Sequence, residues 1–287
     1  MTLLSINIPT YERLDSFSQI IIELENELNS LEAGYRAQIE IAVFENDSSA
    51  HPAKQRLCAE VSRRSNLQIK YAKNATNIGA DENIYQCCTA NPDATFTWVL
   101  GDDDHVVAGA LAQIIFFLTE HRNDLGLLVL SDGNYPLHEQ LRNKQFPSYF
   151  WFAKVAVTTQ PHYLIAHTLI SENIFRTSIF DSHESRYVTR DLTKRLGLSA
   201  NFSHMRGMVK GLLSETGKNY CVLTPDFISL DTSKRLPAAV SFDADLVKIY
   251  YFYYQWLLTE IGVRVDGVAR QSAMAWLFEQ APAMPAH

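Results

Sequence analysis

The chain of 287 residues sets 25 Lys and Arg against 32 Asp and Glu, a net charge of −7, with 47% hydrophobic and 20% charged residues. Those proportions exclude a disordered, collagen-like or coiled-coil chain and fit a globular protein able to bury a sizeable core. The acidic balance argues against a nucleic-acid binder, which needs a broad basic field, but leaves room for one local anion site.

Four short β-type runs, at residues 3–8, 39–44, 67–71 and 96–100, alternate with helical periodicity. In the first intervening segment Phe17, Ile20, Ile21, Leu24, Leu28 and Leu31 fall on one helical stripe. A second helix is expected over 54–64, entered through Pro52, and a third over 80–89. Strand–helix alternation predicts an α/β fold with a mostly parallel sheet and helices on its faces. Further on, a helix is expected over 106–120 and a strand over 126–130.

Ligands of such sheets collect beyond the carboxyl ends of the strands. Here each of the first four strands ends in a polar cluster: Pro9-Thr10-Tyr11-Glu12-Arg13, then Glu45-Asn46-Asp47-Ser48-Ser49, then Asn74 with Asn77-Ile78-Gly79, then Gly101-Asp102-Asp103-Asp104. One polar strand end is a turn, whereas four on one edge predict a site. Three adjacent carboxylates repel one another and call for a cation or strong donors. Hard oxygen ligands suit Mg²⁺ or Mn²⁺, ions that bind phosphate oxygens beside one or two carboxylates. The alternative is a solvated loop in which Asp104 caps a helix beginning near Val106. The apolar strand before the triplet and the three polar strand ends around it favour the metal–diphosphate site.

These motifs, IPTYER, ENDSS, Asn77/Gly79/Asn83 and WVLGDDD in this order, resemble family 2 glycosyltransferases of the GT-A fold, in particular their bacterial abequosyltransferase-like O-antigen branch. The resemblance covers about the first 110 residues well and the rest in outline, where 169–176 resembles the family's strand into the acceptor side and 178–181 the start of the next helix. It implies a Rossmann-like catalytic domain over 1–235, with a nucleotide-sugar half (1–110) and an acceptor half (111–235), and a C-terminal helical extension over 236–287. Pro9, Thr10, Tyr11 and Arg13 are then donor-site residues, Thr10 and Tyr11 lining the base. Glu45 stands where the family usually has Asp, accepting hydrogen bonds from a pyrimidine such as that of UDP. Asn77 and Gly79 let the backbone approach the nucleotide. Asp102 faces the ribose, Asp103 the sugar and Asp104 the metal, with Asp102 as a second metal candidate.

The implied reaction is metal-dependent transfer, with inversion, from a nucleoside diphosphate sugar to a hydroxyl of a surface-glycan or lipid-linked acceptor. Inversion needs a general base near that hydroxyl. The family's Glu-Asp pair is missing, and His204 stands nearest its place, with Asp191 and Glu184 in reserve. Asp132 reads as a turn residue first and an acceptor contact second, and His162 and His167 lack metal-ligand spacing. Lys234 and Arg235 are either a solvated pair or a diphosphate contact. The aromatic run around Tyr250–Trp256 and the FPSYFWF stretch read as core first, with a peripheral membrane face as the alternative. Four cysteines without CxxC or disulfide spacing, no signal segment and no apolar run of about 18 residues predict a cytoplasmic protein. The rivals to transfer are a non-catalytic nucleotide- or glycan-binding module and a sugar nucleotidyltransferase, the latter disfavoured by a first loop without glycines.

Overall fold

A computed structural model describes residues 2–131, 149–152, 170–180 and 219–230. Strand β1 (Leu4–Thr10) leads through a loop to α1 (Leu14–Ser30) and a single turn α2 (Ala33–Arg36). Next come β2 (Ile39–Glu45), α3 (His51–Ser65), β3 (Ile69–Lys73), α4 (Ala80–Thr89) and β4 (Phe96–Val99). The second part holds β5 (Asp104–Val106), α5 (Ala110–Glu120), β6 (Leu125–Ser131), β7 (Tyr149–Phe152), β8 (Asn173–Arg176), β9 (Asn219–Asp226) and β10 (Ile228–Leu230).

Eight strands form one sheet in the order β3-β2-β1-β4-β8-β6-β9-β7, and β5 pairs with β10 apart from it. β1 to β4 pair in parallel; β8 lies antiparallel between β4 and β6, and β7 antiparallel against β9. The expected α/β fold with a mostly parallel sheet is therefore present. Because β1 has β2 on one side and β4 on the other, the chain reverses its winding direction between β1 and β4, and a crevice opens there at the carboxyl ends.

Helices cover both faces. The expected stripe of α1 is realised: Phe17, Ile20, Ile21, Leu24 and Leu28 are at most 2% exposed. Each such side chain contributes about 1.5–3 kcal/mol by leaving water. α1 packs beside α3 and α5, while α4 crosses β1, β2 and β4. The β1 side chains alternate accordingly: Asn7 donates to Cys87 O of α4 at 2.6 Å, and Thr10 turns toward α3. Pro9 is tolerated in this central strand for a local reason. Leu100 N–H donates to Asn7 O and Asn46 N–H to Thr10 O, so Pro9 faces β4, whose pairing has ended.

Three expected boundaries differ. Residues 104–106 form β5 instead of opening a helix, because they pair with β10, and Gly109 at φ 79 delays α5 to Ala110. Ile170–Glu172 is a 3-10 turn, so the strand expected from 169 starts at Asn173. The helix start expected at 178–181 is a 3-10 turn, Thr177–Phe180. Among the described residues, Cys58, Cys87 and Cys88 are buried free thiols; burial pushes Cys58 up to about 12 and the other two well up, which makes them inert. No described helix is long and apolar enough to cross a membrane. Asp132, His162, His167, Glu184, Asp191, His204, Lys234, Arg235 and the expected helical tail lie outside the described residues.

Candidate functional site

The crevice between β1 and β4 is bridged by one hydrogen bond: Thr10 Oγ1, at the end of β1, donates to Asp102 Oδ2 at 2.6 Å. The other Asp102 oxygen accepts from Arg13 Nη1 at 3.1 Å, and Arg13 also pairs with Asp103. Asp102 is 5% exposed, whereas the Arg13 side chain is about half-exposed. Behind them stands a buried pair. Lys54 Nζ lies 3.1 Å from Glu45 Oε2 and donates to Thr10 Oγ1 at 2.8 Å, with no exposed surface on either charged side chain. Glu45 Oε1 accepts from Ser48 N–H, and Oε2 accepts from Tyr71 O–H at 3.3 Å. Burial, and then the Glu45 charge, push the Tyr71 phenol upward, which keeps it a neutral donor.

The acidic loop is folded around a glycine. A Cβ on Gly101 would stand 2.7 Å from Asp104 Oδ2, 3.2 Å from Asp103 Oδ1 and 3.3 Å from Ser171 Oγ. Only a residue without a side chain lets these oxygens converge. Ser171, in the turn before β8, accepts from Gly101 N–H at 2.8 Å, donates to Asp104, and through its carbonyl receives Trp98 Nε1–H at 2.8 Å. The buried Trp98 ring thereby anchors the turn that orients Asp104.

Burial raises both Asp102 and Asp104 to about 6. That position already includes the lowering by hydrogen bonds from Thr10 and Ser171 and by the Arg13 charge beside Asp102, and the further raising by the neighbouring carboxylates. An unfolded aspartate titrates near about 4, so between about pH 4 and pH 6 the folded protein holds protons that the unfolded chain has released. The stabilisation from these two groups is present below that window and lost as pH rises through it. Thermal melts of the metal-free protein are expected to fall from pH 5 to pH 7 on this account. The gain from added Mn²⁺ should grow over the same range, because a cation displaces those protons.

Beside the acidic loop, four asparagines hold the third strand end. Asn46 Nδ2 donates to Asn77 Oδ1 at 2.9 Å, and Asn46 Oδ1 accepts from Ile78 N–H at 2.9 Å. Asn74 Nδ2 reaches both Asn46 and Asn83, and Asn83 Nδ2 ties the array to Phe44 O at 2.9 Å. Gly79, at φ 86, turns the chain into α4 with its N–H on Asn77 Oδ1 at 2.9 Å. Asn77 and Gly79 are exposed residues of this array.

Thr10, Arg13, Asp102 and Asp103 thus form one connected cluster and Asp104 follows in the same stretch, while Asn77, with Gly79 on its side-chain oxygen, is linked to Thr10 only through Asn46, whose N–H donates to Thr10 O. Tyr11 is 44% exposed at the crevice edge, and Pro9 is partly covered in β1. Glu45, expected at the base, faces inward as the partner of Lys54. Asp102, expected beside Asp104 at a metal, has both oxygens engaged within the protein. His105 turns away to Glu23 on α1, with Nδ1 at 2.9 Å from its carboxylate, and His51 contacts Tyr71. Lys54 and Ser171 are the two members outside the expectation from sequence.

Among the described residues, no group of three or more His, Cys, Asp or Glu could hold a metal ion by itself. The convergence of Asp103 and Asp104 over Gly101, where burial and then the neighbouring carboxylates raise Asp104, fits a hard divalent ion that draws its other ligands from phosphate and water.

No protein-family model and no curated protein matches the chain. Solved structures do. S. aureus TarS superposes with a TM-score of 0.58 at 15% identity, covering 96% of this chain and 43% of TarS. A TarS 1–349 structure in complex with UDP gives 0.54 at 16% identity over 79% of this chain and 60% of that one. The mannosyltransferase PcManGT from Pyrobaculum calidifontis, in complex with GDP-Man and Mn²⁺, gives 0.52 at 16% identity, covering 99% of this chain and 76% of its own. A further TarS 1–349 structure, in complex with UDP-GlcNAc, gives 0.51 at 14% identity over 86% of this chain and 65% of that one. The chain has their fold. It spans less than half the length of TarS, and at these identities the likeness is one of architecture.

Proposed function

We propose that the protein is a glycosyltransferase that takes a sugar from a nucleoside diphosphate donor held at the β1/β4 crevice, with a divalent cation at Asp104 and Asp103. The observation that carries this reading is the cluster of Thr10, Arg13 and Asp102–Asp104 at the switch point of a glycosyltransferase fold. A bound Mn²⁺ or Mg²⁺ supplies the positive charge that stabilises a departing diphosphate. Arg13 turns its exposed guanidinium to a phosphate, a planar donor suited to two oxygens at once. Tyr11 and the 77–79 turn border the nucleoside, Pro9 and Thr10 shape the floor beneath it, and Glu45 contributes from beneath by holding Lys54. Asp102, its oxygens taken by Thr10 and Arg13, orients those two and faces the ribose.

His204, or failing it Asp191, removes the proton of the acceptor hydroxyl, giving inversion. The acceptor is a surface-glycan or lipid-linked hydroxyl of the O-antigen kind, reached by a cytoplasmic enzyme. Residues 1–235 form the catalytic unit and 236–287 a helical extension.

A thermal-shift panel of UDP-, GDP-, CDP- and dTDP-sugars with and without Mn²⁺ tests the reading. One nucleotide class is expected to raise the melting temperature, more so with Mn²⁺, and to be hydrolysed slowly. No response to any member would sink the proposal, and binding without hydrolysis or transfer would favour a non-catalytic module.

A further inference from the structure

Lys54 stands in the first turn of α3, just after the loop that ends β2, and its side chain is wholly buried. Its ammonium has three neighbours: Glu45 Oε2 at 3.1 Å, Thr10 Oγ1 at 2.8 Å and the Phe17 ring, whose centroid lies 5.5 Å away. A buried ion pair is a weak source of stability, because desolvation offsets its attraction and an apolar pair of similar volume serves as well. The pair has a clearer consequence for one hydroxyl. An ammonium only donates, so Nζ takes a lone pair of Thr10 Oγ1. The threonine proton is thereby directed away from Lys54 and onto Asp102 Oδ2, 2.6 Å off. Asp102 keeps Oδ1 for Arg13 at 3.1 Å, and Arg13 extends to Asp103. A continuous line of polar contacts therefore runs from β2 and α3, through the end of β1, to the half-exposed Arg13.

We propose that Lys54, with Glu45 as its buried counter-ion, is a positioning residue: through the Thr10 hydroxyl it fixes Asp102 and so the reach of Arg13 toward the diphosphate of a bound nucleotide. This rests on the reading above in one respect, that the ligand is a nucleoside diphosphate. Lys54 touches no ligand itself, since nothing of it reaches the surface.

The test is built on the charge-balanced double variant Lys54→Met/Glu45→Gln, which removes both buried charges and keeps the side-chain lengths. Thr10→Val breaks the same line one link later and leaves both buried charges in place, at the cost of one acceptor for Lys54, and Thr10→Ser keeps the hydroxyl. Dissociation constants for UDP and GDP are measured by calorimetry at saturating Mn²⁺, alongside melting temperatures. The double variant is expected to melt close to wild type yet bind the preferred nucleotide about tenfold more weakly, the scale of a lost hydrogen bond to a charged group. Thr10→Val should weaken binding by a similar factor and Thr10→Ser should retain it. The triple variant should be no weaker than Thr10→Val alone, because all the changes cut one line.

Wild-type affinity in the double variant, or losses that multiply in the triple variant, would overturn the proposal while leaving the nucleotide reading intact. A wild-type protein that binds neither UDP nor GDP would overturn both. Should the double variant not fold, the Thr10→Val and Thr10→Ser pair decides: affinity that survives Thr10→Val overturns the proposal, and loss that Thr10→Ser restores supports it.

Discussion

Asp104→Ala is expected to lower Mn²⁺-dependent turnover of the donor by about a thousandfold, the scale on which removing one charge-stabilising group acts, while the melting temperature at pH 7 stays at or above wild type. The two halves of this result have one cause. Asp104 stands with Asp103 over Gly101 in a loop where burial and the neighbouring carboxylates push its acid up to about 6. Its ionised form is therefore unfavourable in the metal-free protein at neutral pH. Truncation removes a carboxylate that the fold tolerates poorly and costs Ser171 one acceptor, a modest loss beside the repulsion relieved. The function that justifies the repulsion is the attraction of a cation. A Mn²⁺ titration followed by donor hydrolysis, with a melt of each protein, checks both halves. Full activity in the variant, or wild-type activity indifferent to EDTA, would refute a metal at this position.

Much of the donor half is legible in sequence because its signals are periodic and local. The α1 stripe, the alternation of strands and helices, and the polar strand ends all survive translation into structure, since each depends on residues within one or two turns of one another. Lys54 shows where the reading stops. In HPAKQRL it resembles any solvated helix lysine, and Glu45 resembles a polar strand end. The signal is present in the spacing. Lys54, Cys58 and Val61 are the buried residues of α3 and lie at i, i+4 and i+7, while Glu45 shares the β2 face of Ile41 and Val43. Two opposite charges on two apolar stripes that pack together specify a buried pair. Ser171 carries no such signal. It reaches Asp104 only because β8 inserts antiparallel between β4 and β6, a pairing across 67 residues that no local pattern encodes. The late start of α5 is intermediate: Gly109 is visible, but the pairing of β5 with β10 that makes it matter is not.

Gly101→Ala is expected to weaken Mn²⁺ binding at least about tenfold and to lower stability by about 1–3 kcal/mol, the range for overpacking a filled site. The new methyl would stand 2.7 Å from Asp104 Oδ2, inside van der Waals contact. A flexible side chain could retreat, but Asp104 is short and held by Ser171, which accepts Gly101 N–H at 2.8 Å. Either the carboxylate leaves Ser171 or the loop leaves β1, and both outcomes separate Asp103 from Asp104. Gly79→Ala is the informative contrast. Its Cβ would meet nothing within 4 Å, so its only penalty is a side chain at φ 86. Strain of that kind amounts to about 1–3 kcal/mol and leaves the acidic loop undisturbed. The two variants should therefore lose comparable stability and diverge in Mn²⁺ affinity, which a titration of each by electron paramagnetic resonance reads without any turnover. Equal affinity in both would mean that the carboxylates do not meet over Gly101.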